Sequence, residues 1–236
     1  MDKSTGLNID LLSGGYVNRK VIEDISCHIP KGQITLLVGR NGSGKSTLLR
    51  AIMGLLPESS GSVFWEGTRL ACPPHKMRQQ GIIYVPQRKA FFSTLSIVTN
   101  LELACTQKAR NDRRRLIKLA LQRFSSLNDN ARRTAVSLSG GERKLLAFAC
   151  GVIVPPSLLL ADEPLAGLSP RARSTMLGHL KHATQESGVT ILLVEHDVLK
   201  ATRIADRVIG FREGRLVVDC PSSEFDDSLQ RRVFLD

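Results

Sequence analysis

The chain has 236 residues, 42% hydrophobic and 23% charged, with a net charge of +11. That is ordinary globular usage and enough chain for one generous α/β domain; there are no long low-complexity tracts and no repeats of solenoid length. No signal-peptide pattern is present, and the longest apolar run, Leu145 to Val154, is too short to span a bilayer and stops at Pro155-Pro156. Neither secretion nor membrane spanning is expected, and that run reads as a buried helix. Cys27, Cys72, Cys105, Cys150 and Cys220 are scattered, odd in number and never at C-x-x-C spacing, which predicts reduced thiols rather than a disulfide frame or zinc site.

Taken in chain order, the first informative element is a strand over Ile34 to Val38, leading into Gly39-Arg40-Asn41-Gly42-Ser43-Gly44-Lys45-Ser46-Thr47. These residues fit G-x-x-x-x-G-K-[ST], and Thr47 to Met53 reads as the helix that follows. Glycines permit the backbone angles and close approaches such a loop needs. The helix end then offers unpaired N–H groups and about half a positive charge to phosphates. Lys45 is expected to reach the β- and γ-phosphates, Ser46 to supply a hydroxyl to Mg²⁺, and Thr47 to bond a phosphate oxygen.

Lys89 to Val154 reads as mostly helical. Leu116, Ile117, Ala120, Leu121 and Phe124 recur at helix spacing. A dense basic run, Arg110 to Lys118, falls in this region; it suits a solvated face or one near anionic lipid. Nucleic acid is not an expected partner, because aromatics make up only 5% of the chain and none interleaves with the basic residues. Leu138-Ser139-Gly140-Gly141-Glu142 has two readings: a capping box opening a helix, or a second anion site at a helix N-terminus.

Ser157 to Ala161 is a continuous apolar strand ending in Asp162-Glu163-Pro164, and Thr190 to Val194 repeats that design before Glu195-His196-Asp197. In open parallel sheets ligands bind beyond the carboxyl ends of strands, so the phosphate loop, Asp162-Glu163 and His196 should converge on one edge. Asp162 suits Mg²⁺, and Glu163 can orient or activate a water against the γ-phosphate. His179 and His182 stand three apart on a helix and read as a solvated face.

Together these motifs resemble the ATP-binding cassette (ABC) superfamily over about Leu7 to Asp219. The resemblance identifies Gly39 to Thr47 with the Walker A loop, Leu138 to Glu142 with the signature, and Leu158 to Glu163 with the Walker B strand and its catalytic glutamate. It further implies that Gln87 touches Mg²⁺ and the attacking water, that His196 contacts the γ-phosphate, and that Tyr16 stacks on adenine. Ser139, Gly140, Gly141 and Glu142 would cover ATP held by a second subunit. Ser169 stands where the family usually has an aspartate, which leaves that aspartate's inter-subunit role open. Ile52 to Pro57 and Phe92 to Leu95 are similar to subunits of branched-chain amino acid and urea or amide importers.

The implied fold is a P-loop α/β core with a parallel sheet and an N-terminal antiparallel layer. Residues 1–88 and 155–236 would form that core, and 89–154 an inserted helical subdomain, within one nucleotide-binding domain spanning 1–236. The implied activity is ATP hydrolysis with Mg²⁺, in a cassette dimer that drives membrane permease subunits, as an importer, from the inner face of the cell membrane. The alternative is a soluble ABC ATPase acting in assembly, resembling the iron–sulfur type; a module that binds without hydrolysing fits less well, since Glu163 and His196 are both present.

Overall fold

The computed structural model describes residues 5–17, 19–88, 90–129 and 131–235. The N-terminal layer is antiparallel: β1 (Leu7–Tyr16) lies between β2 (Arg19–Ile29) and, further along the chain, β4 (Glu58–Trp65), with the short β5 (Thr68–Arg69) at the edge. Between β2 and β4 run β3 (Ile34–Gly39) and helix α1 (Lys45–Ile52). A short α2 (Pro74–Met77) precedes β6 (Ile82–Val85).

The second sheet has the order β10-β9-β3-β8-β7-β6, with β7 (Leu158–Asp162), β8 (Thr190–Val194), β9 (Arg207–Arg212) and β10 (Arg215–Pro221). It is parallel throughout except at β10, which turns back against β9. The expected strands at 34–38, 157–161 and 190–194 all form. β3, β7 and β8 are buried along their whole length, as continuous apolar runs in a doubly covered sheet should be.

Alternation along these strands divides the core. Leu36, Val38, Leu159, Ala161, Ile191 and Leu193 face the helices α3 (Ile97–Ala104), α4 (Arg110–Arg123), α5 (Ser125–Asn128), α6 (Gly140–Val152) and α7 (Pro170–Ser187). Leu37, Leu158, Leu160, Leu192 and Val194 face α1 and the N-terminal layer, including Ile22 and Trp65. Truncating a fully buried leucine such as Leu160 would cost about 2–5 kcal/mol.

The helices α3 to α6 lie in sequence between β6 and β7, and α6 contains most of the long apolar run, with Leu146 to Val152 buried. On α4, Ile117 and Ala120 face inward while Arg110, Arg114, Arg115 and Lys118 are exposed. A short α8 (Val198–Ala201) and the terminal α9 (Asp227–Phe234) complete the fold. Among the described residues no helix is long and apolar enough to cross a membrane.

One expectation needs correction. His182 is exposed, but His179 is half-buried, its ring 4.6 Å from that of Phe124 and 6.4 Å from that of Phe148. Desolvation, with Arg123 and His182 nearby, pushes its pKa down to about 4. The imidazole fills the α4–α6–α7 junction as an aromatic side chain rather than facing water.

Candidate functional site

Strand register sets the site. Leu37 of β3 and Asp162 of β7 both pair with Val194 of β8, and Val85 of β6 pairs with Ala161. The residues just beyond these positions, Gln87, Glu163 and His196, are therefore delivered together at one edge of the sheet. β3 runs on to Gly39 at the same edge, and the loop from Gly39 to Gly44 carries the chain over into α1.

Gly42 and Gly44 show why the loop needs glycine. Gly42 has φ +79° and Gly44, the N-cap of α1, has φ +105°; a Cβ on Gly44 would also stand 2.9 Å from Ile22. The turn brings Lys45 underneath, 4% exposed, where its ammonium donates to the carbonyls of Gly39 (2.8 Å) and Arg40 (2.9 Å). Desolvation lowers the Lys45 pKa, opposed by the charges of Glu163 and Asp162.

Ser46 Oγ donates to Asp162 Oδ1 at 2.9 Å, and the Tyr84 hydroxyl donates to Asp162 Oδ2 at 3.1 Å. Asp162 is 3% exposed and burial raises its pKa, a penalty that a bound cation would reverse. Glu163 adopts φ +51°, outside the usual range for a residue with a side chain. Its N–H donates to Val194 O at 3.0 Å and its carbonyl accepts from Lys144 Nζ at 2.5 Å. The carboxylate thereby points between two partners: His196 Nε2 lies 2.6 Å from Oε1, and Gln87 Nε2 donates to Oε2.

These groups border one open cavity of about 590 Å³, lined by Tyr16, Arg19, Val21, Asn41, Gly42, Gly44 to Thr47, Gln87, Glu163 and His196. Tyr16 sits at its rim, 38% exposed, its hydroxyl accepting from Arg50 Nη1 at 2.7 Å. Of the other expected residues, Gly39 and Arg40 contribute the carbonyls that hold Lys45, Ser43 is buried with its hydroxyl unpartnered, and Asp162 lies beneath Ser46.

The segment Ser139 to Glu142 is not part of that cavity. It caps α6: Glu142 N–H donates to Ser139 Oγ at 3.3 Å, while the Ser139 N–H and hydroxyl donate to Glu142 Oε2 at 2.9 and 2.7 Å. Both sequence readings can hold at once, because the capping box leaves the helix end exposed. A Cβ on Gly140 would meet no atom within 4 Å, so this chain's own packing does not require that glycine.

Four residues with a part in the site carried no signal in the sequence: Tyr84, Arg50, Lys144 and Glu195. Glu195 is 2% exposed and accepts the Leu165 N–H at 2.6 Å; burial pushes its pKa up to about 7. Only its place beside His196 at a strand end could have marked it.

A cavity that offers a cationic glycine loop on one wall and a two-partner carboxylate on the other is built to hold a polyphosphate and hydrolyse its end, which makes the class that of the P-loop ATPases. The ABC transporter family model matches residues 22–166, and the chain belongs to that family. It is 36% identical over 214 residues to "Probable branched-chain amino acid transport ATP-binding protein LivF" of Archaeoglobus fulgidus, covering 90% of this chain and 91% of the relative. It is 33% identical to the high-affinity branched-chain amino acid transport ATP-binding protein BraG of Pseudomonas aeruginosa, with 90% and 91% coverage. It is 34% identical to the aliphatic sulfonates import ATP-binding protein SsuB of Escherichia coli, with 93% and 82% coverage. Among solved structures, an ATP-binding subunit of an ABC transporter superposes with TM-score 0.84 at 28% identity, covering 97% of this chain and 95% of that one. The chain is thus an ATP-binding, ATP-hydrolysing ABC subunit with the P-loop α/β fold.

Proposed function

We propose that this subunit forms a two-fold cassette dimer around two ATP molecules and drives a membrane permease in an import system of the branched-chain amino acid type. The observation that carries the catalytic part is the seating of Glu163 between Gln87 and His196, opposite the phosphate loop. The names of the two branched-chain amino acid relatives support the substrate class. We take residues 1–236 as one nucleotide-binding domain, with 89–154 as its helical subdomain and the rest as the core. Its place is the inner face of the membrane, against the permease.

The residues take the following roles. The N–H groups of Gly42 to Thr47 and the Lys45 ammonium bind the phosphates, and Tyr16 stacks on the base. Glu163 accepts a proton from the attacking water while His196 and Gln87 fix its two carboxylate oxygens, so the carboxylate cannot rotate away from the terminal phosphate. Ser46 and Asp162 are adjacent hard oxygen donors of the kind Mg²⁺ takes alongside phosphates, with Gln87 within the same cavity wall. Bound there, Mg²⁺ would offset phosphate charge. Ser139 to Glu142 serve the ATP of the other subunit, with Glu142 acting by holding Ser139.

Purification from detergent-solubilised membranes tests this reading. A co-purifying polytopic protein, together with ATPase activity that depends on Glu163, is the expected result; purely soluble partners would favour an assembly factor.

A further inference from the structure

The turn that carries Glu163 is gripped by two ionisable residues from outside the phosphate loop, the half-buried Lys144 and the buried Glu195. Its backbone is left-handed at Glu163, a conformation costly for any residue with a Cβ, so something must hold it. On one side the Glu163 carbonyl accepts from the Lys144 ammonium at 2.5 Å; two residues on, the Leu165 N–H donates to the Glu195 carboxylate at 2.6 Å. Glu195 also lies close enough to Lys144 for the two groups to interact electrostatically. A polar group buried as deeply as Glu195 is costly unless hydrogen-bonded, and Glu195 and the half-buried Lys144 both bond the backbone of this turn.

Lys144 belongs to α6, five positions after Ser139, the residue that heads the helix. A displacement of the head of α6 therefore pulls on the carbonyl of the residue whose carboxylate faces the cavity. We infer that Lys144 and Glu195 are positioning residues for the hydrolytic step, holding the Glu163 turn between them and tying its geometry to the signature helix of the same subunit. Neither touches the reacting atoms. The inference rests on Glu163 acting as the base, which Glu163→Gln tests by itself.

The full chain is assayed for hydrolysis at saturating ATP and Mg²⁺, and for binding of a non-hydrolysable ATP analogue by calorimetry. In Lys144→Met, kcat should fall by about tenfold or more while the analogue's Kd stays within about twofold; Lys144→Arg, which keeps a donor, should recover most of the rate. In a Glu163→Gln background, Lys144→Met should remove less than about a further twofold, since a residue that works through Glu163 has nothing left to position. Should Lys144→Met fail to fold, Glu195→Gln keeps the size and an acceptor for Leu165, and kcat should fall about three- to tenfold at unchanged Kd. Wild-type kcat in the variant that folds, a parallel loss of analogue binding, or a loss that multiplies fully onto Glu163→Gln would overturn the inference.

Discussion

His196 and Glu163 meet at 2.6 Å, imidazole Nε2 to carboxylate Oε1, across the ends of two neighbouring parallel strands. Because Gln87 occupies the other carboxylate oxygen, the Glu163 side chain is oriented from both sides before any substrate contact is considered. Replacing Glu163 by Gln keeps that shape and removes the proton acceptor. Hydrolysis should fall by roughly 10²–10⁴-fold with ATP binding retained, measured by phosphate release and calorimetry on one preparation. Turnover at the wild-type rate would move the base elsewhere, with His196 next in line.

Lys45 is buried beneath the glycine loop, its ammonium bonded to the carbonyls of Gly39 and Arg40, and in the proposed function it binds the phosphates. Each charge-assisted hydrogen bond it makes to phosphate is worth ~1.5–3 kcal/mol, so Lys45→Ala should weaken ATP binding roughly ten- to a hundredfold by calorimetry. Unchanged affinity would remove Lys45 from the phosphate site.

Glu195 makes stability depend on pH. Its pKa stands at about 7 in the fold against an ordinary 4.5, so the folded chain favours the protonated form. The stability it contributes is complete below 4.5 and is lost as pH rises through 7, a change of at most about 3 kcal/mol. His179, held down to about 4, acts in the opposite sense: its contribution is present above 6.5 and is lost as pH falls toward 4. The wild type and Glu195→Gln share His179, so subtracting their urea-unfolding free energies isolates Glu195. The variant should gain on the wild type between pH 5 and 7.5; a flat difference would contradict the buried carboxyl's role.

The exposed head of α6 lies outside its own subunit's cavity, which fits a site completed by a partner. Ser139→Arg and Lys45→Ala homodimers should both be inactive. After subunit exchange about half the dimers are mixed, each with one intact composite site, so activity should return to roughly a quarter of wild type if the sites act independently. Full activity of strictly monomeric Ser139→Arg would refute the composite site.

Local chemistry made much of this legible in the sequence. The loop from Gly39 to Thr47 announces itself because few residues other than glycine tolerate its backbone, and the strands before Asp162 and Glu195 because doubly covered strands are apolar without interruption. The capping box at Ser139 and Glu142 is a spacing three residues wide. What stayed hidden depends on pairing between distant segments. Tyr84 reaches Asp162 from a strand 78 positions earlier, and only the β6–β7 register makes that contact. Lys144 looked like one more basic residue on a helix, and the ring contacts of His179 arise where three helices meet.

The positive φ at Glu163 sets folding against function at a single position. A glycine there would relax the backbone, and an asparagine would tolerate it better, each relieving strain on the order of 1 kcal/mol while abolishing the proton acceptor. A library selected for heat resistance without an activity assay should therefore accumulate inert but sturdier chains altered at residue 163. Thermal melting of Glu163→Gly, unfolding above the wild type, would reveal that conflict directly.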